Sequence, residues 1–197
     1  MADFGTAAIH EAAGRIGDLH PLIRAVTGGH LAGVAITVIC PPGDNLTLHH
    51  AIYVAEPGDV IVCTVSDAPN CGYWGEVMTV AALERGVAGL VIDGGVRDLE
   101  RIRALGFPVF APHVCMHGTS KHAFGRINHP LVIGGVLVSP GDIVIGDCDG
   151  VVVVGSQELS RICAEAEARK AKERWLVDEL RKNRTTLDLL GLPRVSS

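Results

Sequence analysis

Aromatic residues make up only 4% of this 197-residue chain, and lysine is scarcer still, with four against thirteen arginines. A core poor in rings has to be filled by Val, Ile, Leu and Ala, and 48% of the residues are hydrophobic. That composition predicts buried sheet covered by helices. The shortage of lysine also weighs against Schiff-base chemistry, which needs a desolvated amine. Lys170, Lys172 and Lys182 fall on a polar C-terminal helix and Lys121 in a loop.

Other absences narrow the field further. No G-x-G-x-x-G follows a strand, so a dinucleotide or methyl-donor site has no fingerprint, and there is no G-x-S-x-G nucleophile elbow. The net charge of −5 argues against a nucleic-acid or acidic-membrane binder. No apolar run is long enough to span a bilayer, and MADFGTAAIHEAAG is no signal peptide. Cys40, Cys63, Cys71, Cys115, Cys148 and Cys163 form no C-x-x-C pair, which predicts reduced thiols in a cytoplasmic protein.

What is present reads as α/β, in one domain over residues 1–197. A short helix is expected over 5–16, a β-branched strand over 31–40, a helix over 46–55 and a second buried strand over 59–66. A glycine-initiated helix over 71–86, a strand over 87–95 and a helix over 98–106 follow. Residues 108–114 are strand-like. Strands over 130–138, 142–147 and 151–155 are too closely connected for helical crossovers, which predicts mixed sheets. Ser156 is a plausible N-cap for a long helix over 156–184, with Glu165–Arg169 and Asp178–Lys182 as i,i+4 pairs and a tail over 185–197. EPGDVIV (56–62) and SPGDIVI (139–145) repeat one device, a Pro–Gly turn and a capping Asp leading into a strand.

Two groups of residues invite a chemical reading. His113, His117 and His122, with Cys115 among them, could hold zinc, but their spacing suits neither a metalloprotease helix nor a zinc finger. Loop histidines, with a pocket-lining role open, are the better expectation. In the second group Glu76 stands 21 positions before Arg97, separated from it by a helix and a strand. That path can return the helix start at Gly75–Glu76 to the strand end at Gly94–Asp98. Asp98 would then offer a hard oxygen to a divalent cation, Glu76 a second carboxylate, and Arg97 a charge for a substrate oxyanion. The plainer alternative is that Asp98 caps its helix and Arg97 pairs with Glu76.

The run GEVMTVAALERGVAGLVIDGGVRDLERIRALGFPVFA (75–111), with GTAAIHEAAG, LAGVAITV and INHPLVIGGVLVSPGDIVIGDCDGVVVV around it, resembles the RraA-like family. That family includes the 4-hydroxy-4-methyl-2-oxoglutarate / 4-carboxy-4-hydroxy-2-oxoadipate aldolases. The resemblance implies a swivelling β/β/α domain, assembled as a homotrimer or hexamer with active sites at subunit interfaces. It implies Asp98 as metal ligand for Mg2+, Mn2+ or another divalent cation, and Arg97 as the substrate-binding arginine. Gly75, Glu76, Val77 and Met78 would receive the pyruvyl carboxylate, with Glu76 near metal-bound water. The implied activity is a class II lyase cleaving a 4-hydroxy-2-oxo acid to pyruvate and a second keto acid, with oxaloacetate decarboxylation as a side activity.

The chain departs from the family pattern in its tail, where Arg184 stands in the place of an acid that reaches the neighbouring site. Arg184 is therefore expected to bind an additional substrate carboxylate. The rival from another class is a non-catalytic regulator that binds an RNA-degrading enzyme. Such members typically lack the Asp after Arg, which is present here as Asp98.

Overall fold

The structure is a computed structural model, and it describes residues 4–65 and 70–194. In chain order the elements are α1 (Thr6–Ala12), β1 (Arg24–Ala25), β2 (Leu31–Cys40), α2 (Leu46–Val54), β3 (Val60–Val65), β4 (Gly72–Trp74), α3 (Glu76–Glu84), β5 (Gly89–Ile92) and β6 (Gly95–Val96). There follow α4 (Leu99–Ala104), β7 (Val109–Ala111), β8 (Arg126–Ile127), β9 (Leu131–Ile133), β10 (Val136–Val138), β11 (Ile143–Asp147) and β12 (Gly150–Val154). A 3-10 turn (Ser156–Glu158), α5 (Leu159–Leu180) and α6 (Thr186–Leu190) close the described chain.

The main sheet runs β1-β7-β5-β3-β2-β11-β12, with β8 also on β2. Its centre, β2, β3, β5 and β7, is parallel, and the flanking pairings β1–β7, β2–β11 and β11–β12 are antiparallel. The strands read as unbroken apolar runs because both faces are covered. Ile36, Val38, Ile61, Cys63, Leu90 and Ile92 meet Leu48, Ile52, Met78, Ala82 and Ile102 of the crossover helices. The alternate residues Ala35, Val60, Val62, Val91 and Phe110 meet Leu131, Ile133 and Val138 of the β9–β10 hairpin. Helices, sheet and second β layer therefore stack in the β/β/α order expected. The few rings are concentrated, with buried Trp74 stacked on Phe107 at a centroid distance of 5.9 Å.

The repeated Pro–Gly device is structurally the same at both sites. Gly58 and Gly141 take φ of 93° and 90°. The Asp59 carboxylate accepts from Glu56 N–H at 2.9 Å, and that of Asp142 from Ser139 N–H at 2.8 Å.

Several elements differ from expectation. Residues 71–86 are a strand and a helix, because Gly72–Trp74 pairs in parallel with β6 before α3 begins. Residues 130–138 are a hairpin, since Gly134 and Gly135 turn the chain with positive φ. Ser156 opens a 3-10 turn, and Glu158, without a side-chain cap bond, precedes α5. Arg169 reaches Glu173 and Glu11, and Lys182 reaches Glu179, so neither expected i,i+4 pair forms. The tail holds α6, whose start Thr185 caps by accepting from Asp188 N–H at 3.1 Å. Ser66, the last residue of the expected second strand, and residues 195–197 lie outside the described residues.

Candidate active site

The carboxyl ends of β2, β3 and β5 open on a cleft of about 220 Å³, lined by Asn45, His49, Tyr73, Trp74, Gly75, Val77, Met78, Arg97, Asp98 and Lys121, with Gly72 at its floor. Parallel sheets bind ligands at this end because the strand-to-helix loops gather there. After β5 the chain passes Gly94 and Gly95, neither of which has a positive φ. Their lack of a side chain serves close approach instead. A Cβ on Gly94 would press on Val65 and Tyr73, and one on Gly95 would press on the Cys71 carbonyl.

The backbone then brings Arg97 and Asp98 to the cleft. Asp98 adopts a left-handed conformation, φ 59° and ψ 33°, at the residue before α4. Its side chain caps nothing in α4. Asp98 Oδ2 accepts from Glu76 N–H at 3.2 Å, so the carboxylate sits on the N-terminus of α3 instead. A helix N-terminus favours an anion through its unpaired N–H groups and dipole. Arg97 Nε lies 3.8 Å from the same Oδ2. The plainer alternative therefore fails on both counts: Asp98 serves a different helix, and Arg97 faces Asp98 rather than Glu76. Gly75 makes the approach possible, since a Cβ there would collide with Asp98 Oδ2.

Sequence reasoning passed over the α2 side of the cleft. Asp44, 2% exposed, accepts from Ser120 Oγ, His122 N–H and Ala123 N–H through Oδ2, and from Leu46 N–H through Oδ1. Burial alone would raise its pKa, but these hydrogen bonds prevail and hold the carboxyl well below the usual range. Asp44 thereby ties the loop that carries Lys121 to the start of α2, which carries His49. Asn45 Nδ2 donates to Tyr73 O at 2.8 Å, and the Tyr73 hydroxyl accepts from Gly43 N–H at 2.7 Å. Asn45 Oδ1 and His49 Nε2 are buried atoms without a hydrogen-bond partner among the described residues. The available signal was positional: Asp44 and Asn45 open a helix directly after a parallel strand, with His49 one turn on.

Of the expected residues, Gly75, Val77, Met78, Arg97 and Asp98 line the cleft. Glu76 enters it through its backbone N–H, and its side chain is not among the lining groups. The histidine segment is a brace: Val96 N–H donates to His113 O, Cys115 N–H to Val96 O, and Gly72 N–H to His117 O. His113, His117 and His122 join no metal-binding cluster among the described residues. The one such cluster there is Asp147, Cys148 and Asp149, on a different surface. Asp147 is already engaged by Thr6 N–H, Thr6 Oγ1 and Asp149 N–H. Arg184 lies 3.3 Å from Glu179 on its own chain, away from the cleft.

Asp98 is the carboxylate lining the cleft that could hold a divalent cation. Asp98 Oδ1 makes no hydrogen bond among the described residues, and the side chain is 43% exposed. Mg2+ is commonly held by one or two carboxylates plus water.

The family model described as RraA-like, Aldolase/RraA, matches residues 6–153. The chain belongs to that family. A relative in Halalkalibacterium halodurans, provisionally named a 4-hydroxy-4-methyl-2-oxoglutarate aldolase, is 34% identical over 167 residues, which are 83% of this chain and 80% of the relative. An uncharacterized protein from Pseudomonas syringae pv. tomato superposes with a TM-score of 0.87 at 29% identity, over 96% of this chain and 90% of that one. RraAS2 of Streptomyces coelicolor, described as an unusual member of the RNase ES inhibitor RraA family, superposes with a TM-score of 0.76 at 27% identity, over 93% and 94%. RraA-like proteins thus include relatives named for catalysis and relatives named for inhibition. Among the described residues no helix is long and apolar enough to cross a membrane.

Proposed function

We propose that this RraA-like protein is a divalent-metal-dependent lyase that cleaves a 4-hydroxy-2-oxo acid to pyruvate and a second keto acid. The observation that carries the reading is Asp98 beside Arg97 at the start of α3, with its second carboxylate oxygen open to the cleft. Mg2+, Mn2+ or another divalent cation held by Asp98 would supply Lewis-acid stabilisation to the 2-keto group. The first-turn amides of α3, at Val77 and Met78, would receive the substrate carboxylate. Arg97 would set its guanidinium against the oxygen that gains charge as the C3–C4 bond breaks. Oxaloacetate decarboxylation draws on the same electron sink and accompanies the main activity.

Supporting a homotrimer or hexamer with interface sites, Val77 on the cleft, Met116 and Phe124 are 79%, 86% and 70% exposed. Such large apolar side chains fit burial by another subunit.

The test is pyruvate release from 4-hydroxy-4-methyl-2-oxoglutarate, 4-carboxy-4-hydroxy-2-oxoadipate and oxaloacetate, with Mg2+ or with a chelator. Turnover that survives chelation or Asp98→Ala defeats the metal-dependent reading. The second reading, a regulator that binds an RNA-degrading enzyme, rests on the Streptomyces relative. It is favoured if none of the three acids releases pyruvate.

A further inference from the structure

Cleavage of a 4-hydroxy-2-oxo acid has two ends. The electrons collect at the pyruvyl half, which Arg97 and α3 face. At the other end the C4 hydroxyl must lose a proton, and Asp98, the carboxylate lining the cleft, is assigned to the cation with its Oδ2 engaged by Glu76 N–H and Arg97. The α2 side of the cleft has what is missing. Asn45 and His49 are one helical turn apart at the start of α2, His49 N–H donating to Asn45 O at 3.2 Å, so their side chains share a face. Both line the cleft. Asn45 is 5% exposed and its amide nitrogen is engaged by Tyr73 O and Met78 Sδ, which fixes the orientation of the side chain. Among the described residues that leaves Oδ1, an acceptor, with nothing to accept, and His49 Nε2 is equally unpartnered. Two orphaned polar atoms in one cleft wall are costly unless a ligand satisfies them.

We propose that Asn45 and His49 form the subsite for the substrate's C4 hydroxyl, and that the His49 imidazole accepts its proton as the C3–C4 bond breaks. This rests on the lyase reading above. The O–H bond yields its proton to His49 Nε2, and the oxygen becomes the carbonyl of the departing keto acid. The C3–C4 bond pair passes to C2–C3 as the enolate of pyruvate. The imidazolium returns the proton to C3, giving pyruvate and neutral His49, with no other reactant consumed. Asn45 Oδ1, the other unpartnered acceptor, receives the hydroxyl on binding, before its proton turns to His49 Nε2.

The surroundings keep the ring ready for this task. Burial, followed by the charges of Lys121 and His50, lowers the His49 pKa from its ordinary 6.5, so the ring is a neutral acceptor at pH 7. Arg97, Asp98 and Tyr73 are the other charged or titratable groups lining the cleft.

Oxaloacetate provides the discriminating control, since its decarboxylation breaks a C–C bond without a hydroxyl proton to remove. With Mg2+-supplemented protein, His49→Ala should lower kcat for 4-hydroxy-4-methyl-2-oxoglutarate by about 10²–10⁴-fold, at least tenfold more than it lowers oxaloacetate decarboxylation. The acid limb of the kcat/KM profile, below pH 6.5 in the wild type, should vanish in the variant. Added imidazole should restore part of the lyase rate. Asn45→Ala should weaken the preference for the hydroxylated acid over 4-methyl-2-oxoglutarate, read as the ratio of KM to inhibition constant, by tenfold or more. An equal loss of both activities in a His49→Ala protein that melts like the wild type, an unchanged acid limb, or no rescue by imidazole would overturn the proposal while leaving the lyase reading intact. Absence of pyruvate release from every acid by the wild type would instead refute that reading, and this proposal with it.

Discussion

Asp98 shows how much depends on where a single side chain points. A non-glycine residue at φ 59° is uncommon, and Asp tolerates it better than most. The conformation turns the carboxylate from the helix it precedes to the helix it faces. Asp98→Asn keeps the size and removes the charge. It should abolish Mg2+-dependent pyruvate release while leaving the melting temperature within a few degrees of the wild type. Gly75→Ala should be as damaging to turnover, because the added methyl occupies the space of Asp98 Oδ2. Arg97→Ala should lower kcat by about 10²–10³-fold, the usual cost of removing one oxyanion donor. Pyruvate-release kinetics check all three.

At the scale of elements, the loop carrying Lys121 and the start of α2 behave as one unit because Asp44 binds both. Asp44→Asn replaces an acceptor by a donor toward Ser120, His122 and Ala123 N–H or O–H groups, and should cost about 2–4 kcal/mol by chemical denaturation. The wild type should also show an acid dependence that the variant lacks. The folded pKa of Asp44 lies below its unfolded value near 3.8. The stability it contributes is therefore complete above that pH and drains away as pH falls toward the depressed value. The two Pro–Gly turns give a matched pair: Gly58→Ala and Gly141→Ala should each cost about 1–2 kcal/mol, since both demand positive φ.

Much of the molecule was legible in residue patterns, and the exceptions have definite causes. Strands β2, β3 and β5 stood out as β-branched runs because they are buried on both faces, and the twin turns because Pro–Gly–Asp has few alternatives. The β4 strand did not, because Gly72–Trp74 is three residues long and its partner is the equally short β6. The hairpin in 130–138 was hidden by glycines that read as part of an apolar run. The pairing of Arg97–Asp98 with Gly75–Glu76 could be inferred from spacing, since a helix and a strand of those lengths return the chain. Asn45, His49 and Lys121 could not, because their meeting depends on Asp44 holding a loop 76 to 79 residues away in sequence. For the whole molecule, the proposed trimer or hexamer would cover the exposed Val77, Met116 and Phe124, and light scattering on an eluting column reads the stoichiometry. If Arg184 meets a second substrate carboxylate in a neighbouring subunit, Arg184→Ala should raise KM for dicarboxylic keto acids and leave kcat little changed. An unaltered KM for every acid would discard that role.

The bond from the Glu76 amide to Asp98 also makes the protein its own gauge of occupancy. A cation that draws electron density from the Asp98 carboxylate weakens it as an acceptor for that amide, whereas the α3 amides from Thr79 onward hold their partners within the helix. The Glu76 N–H should therefore shift in an amide NMR spectrum, and its hydrogen should exchange with solvent at a different rate, as Mg2+ is titrated. The change needs no substrate, so loading of the site can be followed separately from turnover.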